Sequence, residues 1–310
     1  MMKARSTAGA VAVFLSLLMV APAAHADTYT KTRYPLVLAH GLSGFSSLLG
    51  VLDYWYGIGD TLQSGGATVY VTDVSAFDSS EARGEQLLAQ VERIVAQTGC
   101  GKVNLIGHSQ GGLDVRYVLA VRPDLVASVT TVGTPHLGSE LADFLRKNIN
   151  SGGFTEVVIG ALANSAGWFI NLLTGQSSPQ NSLGALATLT SAGTAAFNAH
   201  YPTGMPAQHC GQGAASEGST RLYSWGGTSV LTNIFDVSDA PLALAGLLFH
   251  EDNDGLVGQC STHFGAVLRD NYSQNHLDEV NQVVGLTNIF ASSPKSIFRS
   301  HANRLKNASL

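Results

Sequence analysis

KVNLIGHSQGGLDVRY, residues 102–117, opens with the strand-like apolar run Val103 to Ile106, breaks at Gly107 and presents His108, Ser109 and Gln110. Two more glycines, Gly111 and Gly112, follow before a helical pattern resumes. This is G-x-S-x-G between a strand and a helix, the context in which that pattern carries chemistry. Turning so sharply puts the serine in strained backbone geometry and leaves no room for side chains on its flanks, which explains Gly107 and Gly111. The hydroxyl then projects from the sheet's edge at a helix N-terminus, where backbone N–H groups and the helix dipole favour developing negative charge. A glycine-rich turn with a capping serine would explain Ser109, but not both flanking glycines.

Further out, short apolar, β-branched runs recur at 35–39, 67–72, 128–132 and 222–225. Between them, residues 81–96 carry Leu87, Leu88, Val91, Ile94 and Val95 on one helical face, and 113–121 continues similarly. Strands alternating with helices predict an α/β chain with a mostly parallel sheet covered on both faces. The alternation lapses at about 139–207, which reads as a helical insertion forming a cap or lid. Within it, residues 154–173 are apolar apart from Glu156 and a few small or amide side chains, as expected of an oily, movable cover or of a core helix. LTNIF occurs twice, at 231–235 and 286–290, without self-similarity around it, and reads as coincidence.

With 310 residues, 45% of them hydrophobic, the chain can build one large core. Its net charge of −5 and lack of a Lys/Arg cluster argue against nucleic acid as a partner. Residues 1–26 form a positive start, an apolar run and a small-x-small site at Ala24-His25-Ala26, the pattern of a Sec-type export leader, so 27–310 is read as a single exported domain. Without Lys3 and Arg5, 15 basic side chains face 22 acidic ones, a net of −7. Export makes a disulfide the expected use of Cys100, Cys210 and Cys260, although spacing does not say which two pair.

A serine hydroxyl needs a base, and the base needs an orienting acid. In this architecture the order is serine, acid, histidine. Asn253-Asp254-Gly255-Leu256-Val257 places a carboxylate in a turn, read as the orienting acid at a strand end or as an ordinary turn residue. Asn275-His276-Leu277-Asp278 offers the base ahead of a helical run at 279–284. His263 reads as structural, and His301 sits in a charged tail. Backbone N–H groups of Gln110, after the serine, and of Leu42, in the loop after the first strand, are the expected oxyanion donors. That strand starts so soon after the leader that the sheet should be a reduced one.

In combination, YPLVLAHGLSGF, NLIGHSQGG, VGTPHLGS, NDGLVG, DNYSQNHLDEVNQVVGL and HANRLKNASL resemble the secreted bacterial true lipases of the Pseudomonas and Burkholderia group, from Tyr34 to Leu310. The resemblance implies an α/β-hydrolase fold, hydrolysis of triacylglycerol esters, a triad at Ser109, Asp254 and His276, and oxyanion donors at Leu42 and Gln110. It also implies one structural Ca2+ held by the carboxylates of Asp236 and Asp278 and the carbonyls of Gln282 and Leu286, ligands of the kind calcium takes. Its disulfide falls on Cys210 and Cys260, leaving Cys100 free. The implied partners are an oil–water interface, a membrane-bound foldase in the periplasm and the type II export machinery, with the chain itself expected to be a monomer. A short-chain esterase or polyester depolymerase on the same scaffold, and a lipid-binding protein without catalysis, are the rival readings.

Overall fold

Strand β1 (Leu36–Ala39) sends Leu36 and Leu38 to one side of the sheet and Val37 and Ala39 to the other, all buried, as a central strand covered on both faces requires. The computed structural model to which it belongs describes residues 27–42, 47–48, 52–151 and 182–310. Residues 1–26, expected to be a leader, and the apolar segment 154–173 lie outside the described residues. On one side β1 pairs in parallel with β2 (Val69–Val71), on the other with β3 (Val103–His108), and β4 (Val126–Val132) follows in parallel. The two-residue β5 (Ser216–Glu217) turns back antiparallel into β6 (Thr220–Gly227). Strand β6 pairs in parallel with β4 and with β7 (Ala266–Tyr272). The sheet therefore runs β2-β1-β3-β4-β6, with β5 and β7 both on β6.

All five expected strands form, with ends shifted by a few residues. Strand β7 was not legible because AVLRDNY lies at an edge, half-buried to exposed throughout, and so needs no apolar run. Helices α1 (Ile58–Ser64), α2 (Ser80–Thr98) and α3 (Gln110–Val121) connect the first strands. Ser79 caps α2 by accepting from Ala82 N at 3.3 Å, and Gly99, at φ 66°, ends it. Leu87, Val91 and Ile94 of α2 and Val115, Val118 and Leu119 of α3 bury one face of the sheet. Between β4 and β6 the described residues form α4 (Glu140–Ser151), α5 (Ser182–Leu189) and α6 (Ser191–His200); α7 (Asp239–Gly246) follows β6. Together with Leu113 and Tyr117 of α3, these four helices form a separate apolar cluster that also touches Leu42 and Leu256.

The chain's end corrects one expectation: instead of a charged tail it is α8 (Pro294–Asn307). Ile297, Phe298, His301, Ala302 and Leu305 face inward at helical spacing and close the second face of the sheet. Its charged residues had masked that stripe. The Cys210–Cys260 disulfide forms as the resemblance implied, joining residues 50 apart, and Cys100 is free and exposed. Closing a loop of that length stabilises the native state by about 4 kcal/mol in the chain-entropy account.

His301 is buried against β4, its Nε2 2.8 Å from Thr130 Oγ1 and its Nδ1 accepting from Arg304 at 3.1 Å. Burial, then the Arg304 charge, push its pKa from 6.5 down to about 3. Between those two values the unfolded chain takes a proton that the folded chain refuses, so this group's stabilising effect is complete above pH 6.5 and is lost as pH falls toward 3. Chemical denaturation across that window should show His301→Gln losing stability with a slope shallower than the parent's by about one proton. Equal slopes would show that His301 titrates normally.

Candidate active site

Ser109 links β3 to α3 with φ 55° and ψ −129°, one of five non-glycine residues of positive φ among those described. A Cβ on Gly107 would collide with the backbone of Gly111, and one on Gly111 with the carbonyls of Ala39 and His40. The helix thus starts hard against two strands, and only glycine permits the approach. The sheet order reverses between β1 and β3, so their C-terminal ends form the crevice where open α/β sheets bind ligands. Ser109 stands at one lip and His40-Gly41-Leu42 at the other; a Cβ on Gly41 would fall 2.6 Å from Ser109 Cβ.

The structure brings His276 and Asp254 together. Nδ1 of His276 lies 2.7 Å from Asp254 Oδ2, and the two backbones are tied by His276 N donating to Asp254 O at 3.0 Å. Oδ1 of Asp254 accepts from Leu256 N at 2.9 Å and Val257 N at 2.7 Å, which keeps the fully buried carboxylate oriented. With Nδ1 donating, the lone pair of the imidazole is on Nε2. Asp254 does not end a strand, however; it sits in a loop closed by the isolated bridge Asn253↔Gly258. Nor does a helix run over 279–284. A 3-10 turn, Asp278–Val280, ends at Asn281, φ 61°, whose amide donates to Tyr56 O at 2.7 Å. That amide bond and the positive φ stop the helix.

The structure joins β3 to the His276 loop through His108, whose Nε2 lies 3.0 Å from His276 O and whose ring centroid is 4.6 Å from that of His276. The hydroxyl of Ser109 itself makes no hydrogen bond among the described residues. Since a carbonyl only accepts, His108 Nε2 carries the proton, and Nδ1 must accept from Tyr54 Oη at 2.6 Å. Tyr54 Oη in turn accepts from Gly41 N at 2.9 Å. Burial, foremost, holds His108 well below the usual histidine range, which keeps this neutral arrangement. A single chain of hydrogen bonds therefore runs from the His40-Gly41-Leu42 loop to the backbone of His276.

Arg83 holds the same loop from the other side. Fully buried, it donates to Asp114 Oδ2 at 2.8 Å, Ser75 O at 2.6 Å, His40 O at 2.7 Å and Gly41 O at 3.3 Å. Leu42 and Gln110 present backbone N–H groups with no acceptor among the described residues. Gln110's side chain is turned away, donating to Asp78 O at 2.8 Å. Neither Arg83 nor Tyr54 was singled out from sequence. Arg83 hid in an amphipathic helix, and Tyr54 in YWYGI; only a count of charges predicted to be buried would have flagged the arginine.

Metal-binding potential lies elsewhere. His209, Cys210, Glu251 and Cys260 cluster within 4.8 Å, as do His108, His276 and Glu279, but the first pair of sulfurs is joined and the second set's imidazoles are hydrogen-bonded. Asp236 and Asp278 are different: each is buried and each has one carboxylate oxygen, Oδ2 and Oδ1 respectively, without a partner among the described residues. Burial first, and then the charges of Asp236 and Asp239, push Asp278 up to about 7. Burial likewise raises Asp236. Two buried, mutually repelling carboxylates with orphaned oxygens fit a hard cation. Gln282, in the turn after Asp278, uses its carbonyl to accept from Val284 N at 2.9 Å, leaving a second lone pair, and Leu286 follows four residues after Gln282.

The α/β hydrolase fold family model matches residues 34–262. A triacylglycerol lipase of Vibrio cholerae is 51% identical over 305 residues, covering 97% of each chain. One of Burkholderia plantarii is 43% identical and covers 98% of each. In fold, the mature lipase BlEst2 of Bacillus licheniformis superposes with a TM-score of 0.59 at 22% identity, over 86% of this chain and 91% of that one. The chain belongs to the α/β-hydrolase family and, within it, to the bacterial triacylglycerol lipase group that includes the Vibrio and Burkholderia proteins.

Tyr54→Phe removes both the acceptor for Gly41 N and the donor to His108 while keeping the ring. It should lower kcat on a soluble ester at least about tenfold, because small misplacements at a reacting centre are costly. The rate is measured at a temperature where the variant is still folded, since two newly unpaired buried groups lower its melting temperature by several degrees. An unchanged kcat would show that the hydrogen-bonded chain does not position the loop.

Proposed function

We propose that this chain hydrolyses the carboxylic esters of long-chain acylglycerols through an acyl-enzyme on Ser109. His276 Nε2 takes the proton of the Ser109 hydroxyl as its oxygen attacks the ester carbonyl, and Asp254 holds and stabilises the imidazolium. Backbone N–H groups of Leu42 and Gln110 stabilise the oxyanion, and His276 returns the proton to the leaving alcohol. Water, activated by the same imidazole, then releases the fatty acid and restores the serine. The observation that carries this reading is the 2.7 Å Asp254–His276 pair held beside the strained Ser109 turn.

Asp236 and Asp278, with the carbonyls of Gln282 and Leu286, would hold one Ca2+, which neutralises the two buried carboxylates and ties the segment carrying His276 to the loop after β6. The apolar sequence of 154–173 supports a cover that opens at an oil surface. The leader-like 1–26 and the disulfide support export through the periplasm to the outside, with a foldase assisting, as a monomer of one domain spanning 27–310.

A fluorophosphonate probe should label the wild type and leave Ser109→Ala unlabelled, with ester hydrolysis in that variant reduced at least about a thousandfold. Labelling that survives the substitution would place the nucleophile elsewhere. Activity should rise on emulsified long-chain triacylglycerol; a peak on short, water-soluble esters that does not rise on emulsions would favour an esterase.

Chelation should lower the melting temperature by about 5 °C or more, and calcium should restore it. Asp236→Ala should start low and ignore the chelator. A wild type indifferent to chelation would remove the ion from the account.

A further inference from the structure

The repeated pentapeptide LTNIF is not an idle coincidence. In the first copy Asn233 Oδ1 accepts from Phe235 N at 3.1 Å, and Asn233 O accepts from Asp236 N at 2.8 Å. In the second, Asn288 Oδ1 accepts from Phe290 N at 3.0 Å, and Asn288 O from Ala291 N at 3.1 Å. Each copy is therefore the same Asn-initiated β-turn with Ile and Phe at its two central positions. The turns also touch, since Asn233 Nδ2 donates to Thr287 O at 3.1 Å. The first is further pinned by Asp239 Oδ2, which accepts from Thr232 N at 2.6 Å and Asn233 N at 2.8 Å.

What these turns present is unusual. Ile234 and Phe235 are 93% and 73% exposed, Ile289 and Phe290 80% and 93%. Exposed turns are ordinarily built of Gly, Asn, Asp or Ser, and an apolar group standing in water without packing calls for a partner. Leu231, Val237 and Leu247 are also strongly exposed. Neither SVLTNIF (229–235) nor VVGLTNIFASSP (283–294) contains a charged residue, and Asp236 and Asp239, which close and pin the first turn, are buried beneath it. A surface built this way offers an anionic membrane or a charged protein nothing to pair with. A net charge of −5 would moreover repel an interface on which fatty acids accumulate, so attachment there has to come from apolar burial.

We propose that the twin Asn-Ile-Phe turns form a rigid, uncharged insertion device that anchors the enzyme on the surface of neutral lipid. The inference rests on the lipase reading and adds to it a second point of attachment, separate from the nucleophile. Held by side-chain and backbone hydrogen bonds, the turns meet the lipid already in shape, so insertion loses little conformational freedom.

The test measures adsorption apart from chemistry. Full-length Ser109→Ala protein, loaded with calcium, is mixed with triolein droplets, and the bound fraction is separated by flotation. Adding Phe235→Ser and Phe290→Ser should reduce partitioning at least about tenfold, given the apolar area two phenylalanines bury. High salt should not change the parent's adsorption. With Ser109 intact, the double variant should hydrolyse a soluble short-chain ester at the parent's rate. Equal partitioning of parent and double variant would overturn the proposal and leave the lipase reading standing; a parent that fails to adsorb at all would sink both. If sedimentation shows that the substitutions dissolve a dimer while adsorption is unchanged, the surface serves self-association and the proposal is wrong. Should the serine variant misfold, Phe235→Trp with Phe290→Trp replaces it. Its indole emission should shift to the blue on droplets, and an unshifted spectrum would be equally fatal.

Discussion

The structure depends on how closely one helix can start against two strands. Helix α3 begins where any Cβ on Gly107 or Gly111 would strike backbone, and that closeness forces Ser109 to φ 55°. Everything chemical is measured from this point: the N–H of Gln110 at the helix start, Gly41 against Ser109 Cβ, and the crevice between β1 and β3. A strained residue persists only where its surroundings over-determine it, and here the surroundings are a buried sheet on both sides.

Buried polar side chains then fix the loops that the sheet alone would leave loose. Arg83 makes four hydrogen bonds with zero exposure, two of them to the carbonyls of His40 and Gly41. Such a group is costly to bury unless its donors are satisfied, and satisfying them sets the path of the loop. The Tyr54–His108 relay does the same for the His276 segment, and Asn275 steadies that segment by accepting from Leu277 N at 2.9 Å and Asp278 N at 2.8 Å. Geometry at the crevice thus follows from hydrogen-bond satisfaction in the interior more than from apolar packing.

Much of this was legible in the sequence. Five strands, the two helices flanking Ser109 and the pairing of Asp254 with His276 could be read because each has a local signature: periodicity, a glycine pattern, an order along the chain. What escaped was decided by tertiary context. Strand β7 lies at an edge and keeps a polar pattern; α8 hides its buried stripe among charges; the segment after His276 is halted by Asn281 bonding to Tyr56 O, 225 residues away. Arg83 and Tyr54 carry no motif at all, and the twin LTNIF turns became meaningful only once they were found to fold alike and touch. The four candidate calcium ligands and the disulfide pairing are implied by the family resemblance alone, since spacing does not single them out.

The most direct measurement is a crystal structure of the protein with a long-chain phosphonate bound covalently. The account requires phosphorus on Ser109 Oγ, one phosphonyl oxygen about 3 Å from both Leu42 N and Gln110 N, and His276 Nε2 within reach of Oγ. Phosphorus on another residue, or a phosphonyl oxygen directed away from both amides, would contradict it.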